Sequence, residues 1–280
     1  MNKQTPDYLI IGHMTKDNLP HGAILGGTCS YAALTAYNLG LRPAIVTSAG
    51  PDIPSMDMLA EIEIKTIFAT ACTTFENSYQ NGQRLQKWLG TSNNLSLADV
   101  PVGWQTAPLV HLAPMAQEIS PTLCQSFPQS LLCVTIQGWL RGRDSEQNVI
   151  YEPHPQLTAQ LPQVDILVVS LADVAGDQAA LAHLVTTVKL GVETLGPEGC
   201  RLYYEGKIIH VSVKAEIEVD PTGAGDIFAA TFFTYYWRTH DPLKAAQFAN
   251  TCASLSVRGV GLASIPKLAA VEARWQEIYG

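Results

Sequence analysis

The chain has 280 residues, is 47% hydrophobic and carries a formal net charge of −8. That length and apolar content suffice to bury one large core, which excludes intrinsic disorder. The acidic balance, with no Lys/Arg run, argues against a nucleic-acid or anionic-membrane surface. No apolar stretch of about 20 residues is present to cross a bilayer, and the apolar run near the start is too short for a signal peptide. The six cysteines are scattered without CxxC spacing and read as reduced, buried small side chains of a cytoplasmic protein. The seven histidines show no HxxxH or HExxH spacing, which disfavours a transition-metal centre.

In chain order, Asp7 to Ile11 (DYLII), bounded by Pro6 and Gly12, predicts a buried parallel strand. It opens at its C-terminal end into GHMTKD, and ligands in open α/β sheets collect at such ends. Asp17 in that turn can accept two hydrogen bonds from a vicinal diol, or serve as an ordinary turn carboxylate. In LGGTCSYAALTAYNLG, Gly26 and Gly27 punctuate, Thr28 is placed to cap, and a helix runs on to Gly40. Ala44 to Gly50 reads as a second core strand. Between Ile64 and Leu89, the runs KTIFATACTTFENSY and QRLQKWL flank Asn81-Gly82, a hairpin signal with many polar positions.

Further along, strands LVHLAPM, LLCVTIQ and DILVVS alternate with short helices around Thr122 to Phe127 and Pro155 to Leu161, which predicts βαβ units. Arg141 follows a strand end in QGWLR, where an arginine is either solvated or a contact for substrate or phosphoryl group. Val188 to Leu195 reads as a strand ending in TLGPEGC, followed by the hairpin RLYYEGKIIHV. Two helices close the chain, Pro242 to Val257 and Lys267 to Ile278. No repeat, low-complexity tract or interdomain linker divides residues 1–280, which read as one unit.

The stretch EVDPTGAGDIFAATFFTYY, from Glu218 to Tyr236, carries the most chemistry. A Gly-rich turn feeds the N-terminus of an apolar helix, where unpaired amides and the helix dipole favour an anion such as a phosphate. Gly223 and Gly225 let the backbone approach that anion closely. Asp226 adds a carboxylate able to take the proton of an attacking hydroxyl. By themselves these residues fit equally well a plain turn and an acidic residue complementing a helix dipole.

The motif PTGAGD, together with the earlier GG pair, resembles the signatures of the PfkB (ribokinase-like) family of carbohydrate and nucleoside kinases. The likeness runs from GHMTKD through the hairpin and TLGPEGC to DPTGAGD, in the family's order. It implies an α/β fold, a three-layer α/β/α sandwich with a mostly parallel central sheet and a small β lid, built here from segments around 14–25 and 64–90. It implies ATP-dependent phosphorylation of a hydroxyl, with Gly223, Ala224 and Gly225 as the anion hole and Asp226 as the base. Asp17, Gly26 and Gly27 would hold the acceptor, with Arg141 as a further substrate contact. Thr194, Gly196 and Gly199 would meet the nucleotide phosphates, and Asn250 the adenine.

Two departures stand out. The residues after GG are TCSYAA, without the Asn that many members carry, and SLAD at 170–173 replaces the family's N-x-x-E. Asp173 would then reach Mg²⁺ only through water. GGTCSYAA, IQGWLR and VGLASIP look most like the inositol-kinase branch, and no Lys/Arg cluster near Asp17 asks for a phosphorylated acceptor, so the resemblance implies a neutral polyol such as myo-inositol. The alternatives are a nucleoside or another sugar as acceptor, or a catalytically silent sugar- or nucleotide-binding regulator. A dinucleotide oxidoreductase would need GxGxxG where GHMTKD stands. Some relatives dimerise through their lids, and the sequence leaves such a homodimer open.

Overall fold

The computed structural model describes residues 4–80, 83–214 and 216–280. Nine strands form its main sheet: β1 (Tyr8–Ile11), β4 (Pro43–Ala49), β5 (Glu63–Phe68), β8 (Leu109–Leu112), β9 (Leu131–Thr135), β12 (Ile166–Ser170), β13 (Leu190–Thr194), β14 (Cys200–Tyr204) and β15 (Lys207–Val211). Their order across the sheet is β15-β14-β13-β12-β9-β8-β1-β4-β5. All neighbours from β13 to β5 run parallel, and the β13–β14 and β14–β15 pairs are antiparallel.

The central strands are apolar on both faces because both faces are covered. On β1, Tyr8 and Ile10 face α1 (Thr28–Asn38), α4 (Ala224–Thr239) and α5 (Pro242–Ser256), while Leu9 and Ile11 join the opposite core. That second core is closed by the short α2 (Leu157–Gln160) and by α3 (Gln178–Thr187) through Leu181, Leu184 and Val185. The last helix, α6 (Leu268–Tyr279), buries Val271 on the α5 side. Helices on both sides of a mostly parallel sheet make the three-layer α/β/α arrangement that the sequence led us to expect.

A second, four-stranded sheet has the order β3-β2-β6-β7, from β2 (Thr15–Leu19), β3 (Gly22–Gly26), β6 (Thr73–Gln80) and β7 (Gln83–Gly90). Its root is a buried polar knot. His13 Nδ1 and Thr73 Oγ1 lie 2.6 Å apart, His13 Nε2 is 2.9 Å from the Asn93 carbonyl, and Ser92 N–H donates to Thr73 Oγ1. Ser92 also donates to Ser48, and the Glu118 carboxylate accepts the amides of His13, Met115 and Ala116.

Three expectations need correction. The run KTIFATA is not part of the small sheet: β5 pairs parallel with β4 at the edge of the main sheet, and the small sheet resumes at Thr73. Its half-exposed, polar alternation is that of an edge strand, which a sequence cannot tell from a surface hairpin. The loop after Trp139 contains a two-stranded ladder, β10 (Arg141–Arg143) with β11 (Val149–Tyr151). The helix expected near Thr122 is a 3₁₀ segment, Pro121–Ser126. The turn expected at Asn81-Gly82 lies outside the described residues.

Candidate functional site

A cavity of about 430 Å³ opens at the carboxyl edge of the main sheet, beneath the small sheet. Among the described residues its charged lining is Asp17, Asp173, Asp226 and Arg141. A second cavity, of about 180 Å³, adjoins it and shares Thr194, Pro221 and Gly225.

Between the two stands the N-terminus of α4. The turn before it is held by Asp220, whose carboxylate accepts Thr222 N–H at 2.9 Å and Gly261 N–H at 3.3 Å. Gly223 precedes the helix with φ 79°, and a Cβ there would lie 2.3 Å from the Tyr31 ring, so the position takes only glycine. The first helical bond runs from Ile227 N–H to the Gly223 carbonyl, so the amides of Gly225 and Asp226 precede the ladder and sit at the positive end of the dipole. Ala224 differs from expectation: its N–H donates to the Pro221 carbonyl at 3.1 Å and closes the turn.

Asp226 is held from across the cleft. Thr28, expected as a helix cap, is instead the first residue of α1, with Gly27 before it, and its hydroxyl donates to Asp226 Oδ1 at 2.7 Å. Thr28 is 2% exposed while Asp226 is half-buried in the cavity wall, so the bond is charge-assisted and fixes the carboxylate from its buried side.

Asp17 lies on β2, where the Thr15 hydroxyl donates to its Oδ1 at 2.8 Å. Gly26, on the neighbouring β3, makes room for it: a Cβ on Gly26 would fall 2.4 Å from Asp17 Oδ2. Arg141 is buried rather than solvated, with its guanidinium 5.3 Å from the centroid of the Phe75 ring, a cation–π contact. The apparent polar loop around it had concealed the short ladder that carries it inward.

On the far wall, Ser170 and Asp173 form a capping box. Ser170 donates to Asp173 Oδ2 from its amide at 2.8 Å and from its hydroxyl at 2.7 Å. Asp173 Oδ1 accepts from Gln137 Nε2 at 2.9 Å. Thr194 ends β13, and Gly196 and Gly199 bracket a 3₁₀ turn that lines the smaller cavity. Asn250 reaches that cavity from α5, but its Nδ2 donates to the Val211 carbonyl at 2.9 Å and ties α5 to β15.

The model of the pfkB family of carbohydrate kinases matches residues 123–268. The chain belongs to the pfkB family. The kinase is 27% identical over 258 residues to a nucleoside kinase of Methanothermobacter thermautotrophicus, covering 84% of this chain and 79% of that one. Among solved structures it superposes with TM-score 0.78 and 18% identity on a pyrophosphate-dependent kinase in the ribokinase family, complexed with a pyrophosphate analog and myo-inositol; 91% of this chain and 96% of that chain are covered. A ribokinase of Arabidopsis thaliana complexed with ribose and ATP gives TM-score 0.74 and 19% identity, over 98% and 99%.

The site residues expected from sequence fall around these two adjoining cavities. Asp17, Gly27, Arg141, Asp173, Thr194, Gly223, Gly225 and Asp226 line the larger one, Gly26 stands behind Asp17, and Thr194, Gly196, Gly199, Ala224, Gly225 and Asn250 line the smaller. Sequence reasoning missed the hydroxyl of Thr28 as a partner of Asp226, Gln137 as a partner of Asp173, and Phe75 beneath Arg141. Thr28 stood next to the GG pair and Gln137 within IQGWLR, where a signal existed. No helix among the described residues is long and apolar enough to cross a membrane.

Proposed function

We propose that this kinase transfers the γ-phosphoryl group of ATP to a hydroxyl of a small neutral polyol or sugar, with myo-inositol the first acceptor to test. The observation that carries the reading is the placement of Asp226: on a helix N-terminus, in the wall of a cavity that also presents Asp17 and Arg141. The acceptor's hydroxyls donate to Asp17, and Asp226 takes the proton of the attacking hydroxyl. The amides at the start of α4 hold the charge that builds on the phosphoryl oxygens. The smaller cavity, whose lining joins the apolar Phe228, Val213, Ala253 and Val257 to the carboxylates Glu216 and Glu218, suits the flat body of a nucleobase better than a second highly charged phosphate, which favours a nucleotide over pyrophosphate as donor.

Among the described residues no group of three His, Cys, Asp or Glu is placed to hold a metal. Asp173, a carboxylate in the wall of the larger cavity, would hold through water a Mg²⁺ ion carried on the donor's phosphates. Such an ion supplies neutralisation of phosphate charge. A nucleoside acceptor is the second reading, supported by the similarity to the archaeal nucleoside kinase. A cytoplasmic location belongs to the same proposal and agrees with six free, buried cysteines.

The test is ADP release from ATP and Mg²⁺ with myo-inositol, ribose, fructose, cytidine and adenosine, with an arm in which pyrophosphate replaces ATP. Acceptor-dependent release that falls by orders of magnitude in a folded Asp226→Asn variant supports the reading. Near-normal turnover in that variant rejects Asp226 as base, and turnover with pyrophosphate alone rejects ATP as donor.

A further inference from the structure

A chain of three polar side chains runs from the centre of the main sheet to the cavity wall. The hydroxyl of Tyr8 lies 2.9 Å from His111 Nδ1, and His111 Nε2 lies 2.8 Å from Thr135 Oγ1. Tyr8 and His111 are fully buried, with the Tyr8 ring stacked on the imidazole and Phe233 packed edge-on against it. Thr135 ends β9 and lines the larger cavity. None of the three figured in the sequence expectations.

The direction of these bonds follows from counting protons. The Tyr8 hydroxyl has one hydrogen and, among the described residues, one hydrogen-bond partner, so it must donate to Nδ1 or leave a buried O–H unpaired, which native cores avoid. Burial pushes the His111 pKa down to about 3, so the ring is neutral and holds a single N–H. That hydrogen is therefore on Nε2, donated to Thr135 Oγ1. The Thr135 hydroxyl is left with its own hydrogen to give, no protein acceptor is within bonding distance among the described residues, and its open side is the cavity.

We infer that Thr135 is a binding residue for the phosphoryl acceptor, presenting a hydrogen-bond donor of fixed direction to an oxygen lone pair of the bound alcohol, with Tyr8 and His111 as positioning residues. The chemistry is complementary to the carboxylates of the site. A polyol hydroxyl that donates to Asp17 or Asp226 keeps lone pairs that no carboxylate can satisfy, and Thr135 supplies the missing donor. A donor whose tautomeric relay is locked in the core also loses no hydrogen-bond freedom when the ligand arrives. This inference rests on the reading of the larger cavity as the acceptor site.

The experiment has two parts. In the unliganded wild type, ¹⁵N-resolved NMR of the His111 ring should show hydrogen on Nε2 and none on Nδ1; the opposite tautomer would overturn the relay whatever the enzyme phosphorylates. With whichever of myo-inositol, ribose, fructose, cytidine or adenosine the wild type turns over, Thr135→Val should raise the acceptor KM about fivefold to tenfold, the worth of one neutral hydrogen bond. Thr135→Ser should restore it, with the KM of ATP unchanged in both. Tyr8→Phe should raise the acceptor KM less, and should add nothing in the Thr135→Val background. An unchanged acceptor KM in Thr135→Val overturns the inference, and so does a fall in kcat alone, which would place the donor on the phosphoryl group. Wild-type silence with all five compounds counts against the proposed function instead, and the ring tautomer then decides the relay by itself.

Discussion

Replacing Gly225 by alanine should make this protein slightly more stable and almost inactive. Gly225 is the second residue of α4, its φ is not in the left-handed region, and an ideal Cβ there meets no atom within 4 Å. The folded chain thus accommodates the methyl group without strain. Alanine is favoured over glycine by about 0.8–1 kcal/mol in a helix interior, and a first-turn position keeps roughly half of that. For a chain of this size the gain amounts to about 1 °C in Tm. The empty space around that Cβ is, however, the mouth shared by the two cavities, so the methyl stands where the transferring phosphoryl group must meet the first amides of the helix. Losing that approach should cost on the order of 100-fold or more in kcat, the scale set by removal of a single oxyanion donor. Thermal melting monitored by circular dichroism, alongside coupled ADP release, reads both quantities on one preparation. A variant that turns over like wild type would refute the placement of the anion at this turn, and one that melts several degrees lower would refute the strain-free fit of the methyl group.

Two further outcomes follow from bonds already described. Thr28→Val removes the hydroxyl that donates to Asp226 and should lower kcat about tenfold, in keeping with a hydrogen bond to a charged group, while Thr28→Ser keeps most of the activity; steady-state kinetics showing equal kcat in all three would count against it. His111 gives an acid sensitivity whose sign is fixed. Its folded pKa of about 3 lies below the usual 6.5, so the unfolded chain takes up the proton first and stability drains away as pH falls from 6.5 toward 3. Moving from pH 7.5 to 4.5 should therefore cost on the order of 3 kcal/mol through this residue. Urea unfolding at the two pH values should show that loss in the wild type and a smaller one in His111→Gln, and equal losses would refute the assignment.

Much of the architecture was legible because strand and helix periods were unambiguous where both faces are buried. YLII, LLCVT and ILVVS could only be interior parallel strands. Legibility failed at the edge and at the loops. β5 presents polar residues to solvent because it has one neighbour, and β10 is three residues long, below any periodic signal. At the site, the Gly-rich turn announced itself through residues that few other structures require. The contacts of Gln137 and Thr135 did not, since Gln137 meets Asp173 between two 3₁₀ segments and Thr135 meets His111 across the paired strands β9 and β8, and both depend on topology rather than local spacing. Asn250 stands in the wall of the smaller cavity, and the bond from its Nδ2 to the carbonyl of Val211 was hidden from the sequence for the same reason.

The buried knot at the root of the small sheet has a mechanical consequence. Of the chain's passages between the two sheets, those at His13 after β1, at Thr73 where β6 begins and at Ser92 after β7 are riveted to one another and to Ser48 on β4 by a continuous set of hydrogen bonds. Glu118 extends the same riveting to the backbone at Met115, in the cavity wall. A leaf fastened at three stems cannot swivel about one of them. Any opening over the cavity has to come from flexing of the leaf beyond its base, as a stiff page bends while its binding stays put, and the binding itself keeps the rim of the cavity in register with the sheet below.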